Sequence, residues 1–145
     1  MTAAKARSTR QRRAIEDSIA QAQRPLSPRE ILDAACSRVR GVGLATVYRT
    51  LRLLIAEAKV QSVDIPGEPP RFEPVKGHHH HFSCRSCGRV FDLGACCGHF
   101  EELTPPGFCL EDHELVLFGC CRDCVPCAGA STRRSSGKPR STRRS

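Results

Sequence analysis

The 145-residue sequence has no long apolar run, which excludes a membrane-spanning helix. The start, Met1 to Arg13, is basic with no apolar stretch behind it, so a secretory signal is not expected and the cytoplasm is the expected location. Nor is there a paired acid and base, a nucleophile elbow or a phosphate-cradling loop, which leaves an enzymatic reading without a carrier. Acidic residues are missing from both ends. Residues 1–13 hold five Lys/Arg and residues 128–145 hold six, with no Asp or Glu in either stretch. The formal net charge is +8, so the body between these ends carries −3. Basic ends on a mildly acidic body suit arms that meet a polyanion, although a solubilising tail would look the same.

Against these absences stand ten cysteines and six histidines. In a reducing compartment, cysteine usage this dense points to metal binding rather than to disulfides. The hydrophobic fraction of 39% allows modest cores, in one domain or two small ones.

Residues 9–22 read as a first helix, with Ile15, Ile19 and Ala22 on one face. A second starts at Ser27-Pro28-Arg29-Glu30, where Ser27 suits the N-cap, Pro28 the first turn and Glu30 the capping box. Ile31, Leu32, Ala35 and Val39 form its apolar face, and Gly41 and Gly43 end it. The third helix, 45–58, places Val47, Leu51, Leu54, Ile55 and Ala58 on one stripe and Thr46, Arg49, Thr50 and Arg52 opposite. Val60–Ile65, a Pro/Gly turn and Arg71–Glu73 then read as a hairpin. Three short helices followed by a hairpin describe a winged helix-turn-helix, with a plain three-helix bundle plus hairpin as the alternative.

The chain changes character near Gly77. Strands are expected around Phe82–Cys84 and Arg89–Leu93, a short helix at 96–103, and one or two strands between Phe108 and Phe118. The fold class is therefore α+β, divided into 1–75, 76–127 and a disordered basic tail, 128–145.

Cys84-x-x-Cys87 and Cys121-x-x-Cys124 are two knuckles able to supply the four thiolates of a closed structural zinc site. A pair of redox dithiols is the competing reading, and Cys120 and Cys127 flank the second knuckle as possible competing ligands. Cys36 and Cys109 read as small buried hydrophobes; Cys96 and Cys97 show no partner pattern. Ahead of the first knuckle runs His78-His79-His80-His81. On a strand, alternate side chains face opposite ways, so His79 and His81 would serve one site and His78 and His80 another. A solvated polar run is the alternative.

Three motifs, in this order, resemble the ferric uptake regulator family. Gly43-Leu-Ala-Thr-Val-Tyr-Arg-Thr-Leu51 is similar to its recognition-helix signature. His78-His-His-His-Phe-Ser-Cys-Arg-Ser-Cys-Gly88 is similar to its His-rich strand and first knuckle. Gly107-Phe108 through His113, then Phe118 to Cys124, resembles its last strand and second knuckle. The resemblance spans about residues 9–124.

The resemblance implies a homodimeric, metal-dependent repressor with a winged-helix DNA-binding domain, a hinge and a small α/β dimerisation domain supported by the four-Cys zinc. A regulatory ion at the hinge would close the two winged domains onto an AT-rich palindromic operator. Carried over by position, the hinge site takes Glu73, His79 and His81; Arg24-Pro25 stands where relatives often have a histidine, and Asp64 is the substitute. The dimerisation-domain site takes His78, His80, His99 and His113. Iron-sensing relatives often carry carboxylates at the positions of His80 and His99, and imidazole there favours zinc over manganese or iron(II). On DNA, Tyr48 and Arg49 are expected near base edges, Thr46 and Arg52 on phosphates, and Arg10, Arg12 and Arg13 as salt-sensitive additions. An iron- or manganese-responsive relative, or a thiol-based redox sensor, is the alternative function.

Overall fold

Ser27 opens the second helix as its pattern predicts: its hydroxyl accepts from the Glu30 backbone N–H, and the Glu30 carboxylate accepts from the Ser27 N–H at 2.8 Å. The computed structural model describes residues 3–94, 96 and 98–124. The expected basic tail 128–145, together with Cys97 and Cys127, lies outside the described residues. Three helices come first: α1 (Ala3–Gln21), α2 (Pro28–Cys36) and α3 (Leu44–Ala56). The first therefore begins well before residue 9.

The three helices bury Ile15, Ile19, Ile31, Ala35, Val47, Leu51 and Leu54 in one core, completed by Leu26, Val60 and Phe72. Each large aliphatic side chain taken fully out of water contributes about 1.5–3 kcal/mol. Two residues of α3 depart from the expected stripe. Ile55 is 43% exposed, and Thr50 is buried. At 100° per residue both lie about 70° from the midpoint of Leu51 and Leu54, at opposite margins of the stripe, so periodicity does not rank them and the packing of neighbouring elements decides which is covered.

The wing is the antiparallel hairpin β1 (Val60–Val63) and β2 (Arg71–Pro74), with Gln61 opposite Glu73. Leu26 adds a single bridge to Phe72, through reciprocal backbone bonds of 2.9 and 2.8 Å. The winged helix-turn-helix is thus the observed arrangement of this half.

The second half is a three-stranded sheet in the order β4–β3–β5, built from β3 (His80–Cys84), β4 (Val90–Leu93) and β5 (Val116–Gly119). β3 is central, antiparallel to β4 and parallel to β5. The helix expected at 96–103 is reduced to a 3-10 turn at Glu101–Leu103, cut off by Pro105 and Pro106 before any apolar face forms. Between Phe108 and Phe118 only the last residues form a strand.

Little apolar surface is buried here. Val90, Cys84 and Cys121 are the buried hydrophobic residues of this half among those described. Val90 joins Val63 and Ile65 of the wing side, with Val116 packed against them, so the two halves share one small apolar cluster. Arg71 strengthens the join by donating to Glu30, Glu68 and the Gly88 carbonyl, while the Ser83 hydroxyl donates to Glu68 at 2.9 Å.

Candidate metal centres

Parallel pairing of β3 with β5 explains why two distant knuckles meet. Cys84 lies in register with Gly119, so the turn after each strand emerges at the same end of the sheet. Cys84, Cys87, Cys121 and Cys124 bring their sulfurs within 4.8 Å of one another. The Cys87 and Cys121 sulfurs stand 3.8 Å apart. Thiolates arranged tetrahedrally about 2.3 Å from a zinc ion would be about 3.8 Å apart, so the cage already has zinc dimensions. The backbone N–H of Cys121, 3.2 Å away, and those of Cys87 and Ser86 hold the Cys84 thiol down at about 6. The same backbone donors favour the thiolate, the form that binds metal. Cys124 shows the opposite strain: Ser86 lowers it, but the crowding sulfurs of Cys121 and Cys87 push it up to about 11. A divalent cation would relieve that repulsion. Cys120 is disulfide-bonded, which removes it as a competing ligand and departs from the expectation of a wholly reduced set.

The histidine run alternates as a strand requires. His79 and His81 face one side, where they meet Glu73 of β2 and Asp92 of β4, with ligand atoms within 4.8 Å. His79 Nε2 lies 3.0 Å and His81 Nε2 3.5 Å from Glu73 Oε1. Asp92 is the direct cross-strand partner of His81, which brings its Oδ1 within 3.9 Å of that ring. Lys76 bonds the outer oxygens, Glu73 Oε2 and Asp92 Oδ2, and so turns the inner oxygens toward the imidazoles. His79 Nδ1 meets the Gly77 carbonyl at 2.7 Å, leaving Nε2 for the centre. Burial alone would raise the Glu73 carboxyl, but the adjoining His81 ring, a hydrogen bond from Gln61 and the charges of His79 and Lys76 hold it at about 2. His81 Nε2 and Asp92 Oδ1 are buried without a hydrogen-bond partner. Unpartnered ligand atoms gathered this closely fit a divalent cation.

Asp64 is not in this group. It lies beyond the end of β1, exposed, accepting a 3.5 Å contact from Ser62, and lines the cleft beside His79 and His81. Asp92 occupies the place expected for it, because sheet pairing with His81 brings it there. No local signal in the sequence marks Asp92.

On the opposite face, His78, His80 and His113 gather with Cys96. His99 does not join them and is exposed. Cys96 and His99 would share a face only in a helix, and the segment instead turns at Gly98 with φ of 71°. Burial, then the neighbouring His78 and His113, lower the affinity of His80 for a proton.

On α3, Tyr48, Arg49 and Arg52 are exposed at helical spacing, and Thr46 is half-buried. Arg13 is exposed. Arg12 instead binds both oxygens of Glu57 at 2.6 Å, tying α1 to the end of α3. The pair forms because α1 passes beside the α3 C-cap, Glu57.

The ferric uptake regulator family model matches residues 3–118. This chain belongs to that family. The zinc uptake regulation protein of Mycobacterium tuberculosis is 36% identical over 128 residues, covering 86% of this chain and 98% of that protein. The ferric uptake regulator of Vibrio cholerae, whose structure is described by the rearrangement of its DNA-binding domains, superposes with a TM-score of 0.61 at 26% identity, covering 77% of this chain and 88% of that one. A zinc-bound manganese uptake regulator superposes with a TM-score of 0.66 at 26% identity, covering 77% and 87%.

Members of the ferric uptake regulator family are DNA-binding transcription regulators rather than enzymes. Among the described residues no helix is long and apolar enough to cross a membrane. Two of the three ligand groups fall wholly within residues 3–118, and the four-Cys group extends past them with Cys121 and Cys124. Two of their members, Asp92 and Cys96, were not marked by any motif.

Proposed function

We propose that this chain is a zinc-responsive, DNA-binding transcriptional repressor that works as a cytoplasmic homodimer. The observation that carries this reading is the hinge group: Glu73 comes from the wing, while His79, His81 and Asp92 come from the sheet. One ion held by both would select a single angle between the winged-helix half, residues 1–75, and the metal-binding half, 76–127. Two half-sites at fixed spacing on a palindromic, AT-rich operator demand that angle from both protomers. By linkage, DNA and hinge metal tighten each other, a coupling typically worth about 1–3 kcal/mol.

In this reading Cys84, Cys87, Cys121 and Cys124 hold a structural zinc, which compensates for the small apolar core of the sheet. The exposed apolar residues Leu103, Phe108, Leu117 and Phe118 supply the dimer contact. Arg49 and Tyr48 read base edges, Thr46 and Arg52 set the register on phosphates, and Arg13 adds sequence-independent affinity. Zinc is favoured by imidazole-rich ligand sets and by the name of the M. tuberculosis relative. The hinge set, with two carboxylates, also admits iron(II) or manganese.

The test is operator binding by protein stripped of hinge metal but keeping its cysteine-bound zinc, then reloaded with zinc, manganese or iron(II) at buffered free concentrations. Zinc at the lowest free concentration should restore binding. Equally tight binding by the stripped protein would remove the hinge from the mechanism, and equal activation by manganese would remove the case for zinc.

A further inference from the structure

We infer that Cys96 is the fourth ligand of the second histidine site, making a centre of one thiolate and three imidazoles that selects zinc and softer ions against manganese and iron(II). This rests on the metal reading above and deepens it by naming a ligand and, through it, a metal class.

Cys96 Sγ lies 3.1 Å from His113 Nε2, which itself lies 3.1 Å from His78 Nε2. One ring nitrogen carries either one hydrogen or one lone pair, so His113 Nε2 cannot form a good hydrogen bond to both. His80 closes the group, its ring centroid 4.7 Å from that of His78 and 5.0 Å from that of His113. It is 1% exposed, and neither of its ring nitrogens has a hydrogen-bond partner. An imidazole buried with both nitrogens unsatisfied is costly unless a further group meets it. A cation among the four side chains answers both anomalies.

The dimensions agree. Nitrogens bound tetrahedrally to zinc at 2.0–2.1 Å stand about 3.3 Å apart, close to the observed spacing. Phe100 packs over His113 with centroids 4.2 Å apart and reaches His80 at 6.0 Å, so one wall of the site is apolar. A thiolate among imidazoles is a soft donor, suited to zinc and cobalt(II) and poorly suited to manganese. His99, the ligand that the family pattern suggests, stays exposed and outside the group.

Cobalt(II) separates these possibilities, since a thiolate ligand gives a sulfur-to-cobalt charge-transfer band in the near ultraviolet and imidazole does not. The full chain, reduced and with zinc retained in the four-Cys centre by elemental analysis, is titrated with cobalt. The added cobalt should show that band. Cys96→Ser should abolish it and weaken cobalt at this site by more than about tenfold, the lower range seen when even an outer-shell partner is lost. His99→Ala should change neither. Retained zinc in each variant reports that the sheet is folded. Cobalt that binds without the band, or a band that survives in Cys96→Ser, overturns Cys96 as ligand; two cobalt ions per chain, one for the hinge group and one for this one, would leave the histidine site standing. A wild-type chain that takes up no cobalt beyond its zinc overturns the site itself, and this inference with it.

Discussion

Arg71 of the wing donates a hydrogen bond to the Gly88 carbonyl, 2.8 Å away inside the first cysteine knuckle. The same guanidinium holds Glu68 at 3.0 Å and Glu30 at 3.3 Å, so one side chain joins α2, the wing and the sheet without any metal. Arg71→Ala leaves the Gly88 carbonyl without this donor and takes a half-buried cation away from two carboxylates, although Ser27 still donates to Glu30 and Ser83 to Glu68. It should lower unfolding stability by about 2–3 kcal/mol and speed hydrogen exchange in the wing. Urea midpoints check the first and exchange mass spectrometry the second; a loss under about 0.5 kcal/mol would show that the contact does not join the halves.

Glu30 makes the capping box sensitive to acid. Burial alone would raise its carboxyl, but the Ser27 backbone N–H, Arg24 and the Ser27 hydroxyl outweigh this and hold it below its ordinary 4.5. The folded carboxyl therefore binds its proton more weakly than the unfolded one. Its stabilisation is complete above the ordinary value and drains away as pH falls through the lowered one. Glu30→Ala should cost about 1 kcal/mol at pH 7, with the gap from wild type closing in the acid range below 4.5. A gap that widens toward low pH would contradict the assignment.

Gly119 ends β5 where a side chain has no room. A Cβ there would stand 2.9 Å from Phe82 Cζ, on the neighbouring strand. Gly119→Ala must push Phe82 aside at the point where β5 delivers the second knuckle. A destabilisation of about 1–3 kcal/mol is expected, with faster zinc loss to a chelator. Unchanged zinc retention would show that the ring moves freely.

On DNA, Arg49 and Arg13 should behave differently. Arg49→Ala should weaken operator binding by about 1–3 kcal/mol with little effect on random sequence, whereas Arg13→Ala should weaken both alike and reduce the salt dependence. Footprinting on operator and random duplexes decides. Equal losses from the two variants would displace α3 from the recognition role.

Leu117 is 44% exposed on β5, an edge strand of the sheet. A charge there should break an apolar contact between protomers while leaving the fold alone. Leu117→Lys should shift the protein from dimer toward monomer in light scattering, with its circular dichroism unchanged. An unaltered mass would move the dimer contact elsewhere.

Much of this molecule was legible because its signals are local. The capping box at Ser27–Glu30 involves neighbours three residues apart, and the Cys-x-x-Cys spacing is a property of a single turn. The alternation of the histidine run needs only a strand. Asp92 and Cys96 carried no such signal. Each reaches its site through pairing or chain reversal: Asp92 as the partner of His81 across β3 and β4, and Cys96 through the irregular path that leads from β4 toward His113. The candidates that stay outside the groups have the converse explanation. Asp64 and His99 are the right residue types near the right motifs, set aside by where β1 ends and where a helix fails to form. Arg12 reads in the sequence as one more basic residue of the arm, and its pairing with Glu57 is visible only in the fold.

The chain alone determined the winged-helix half, the two knuckles and the two-sided use of the histidines, because periodicity and short-range chemistry act along the backbone. Folding in three dimensions decided which residues gather in each group, which arginine pairs with Glu57, and that one carboxylate from the wing meets the sheet's histidines. Those outcomes depend on strand register and chain direction, which bring together atoms far apart in sequence and are written in no single segment.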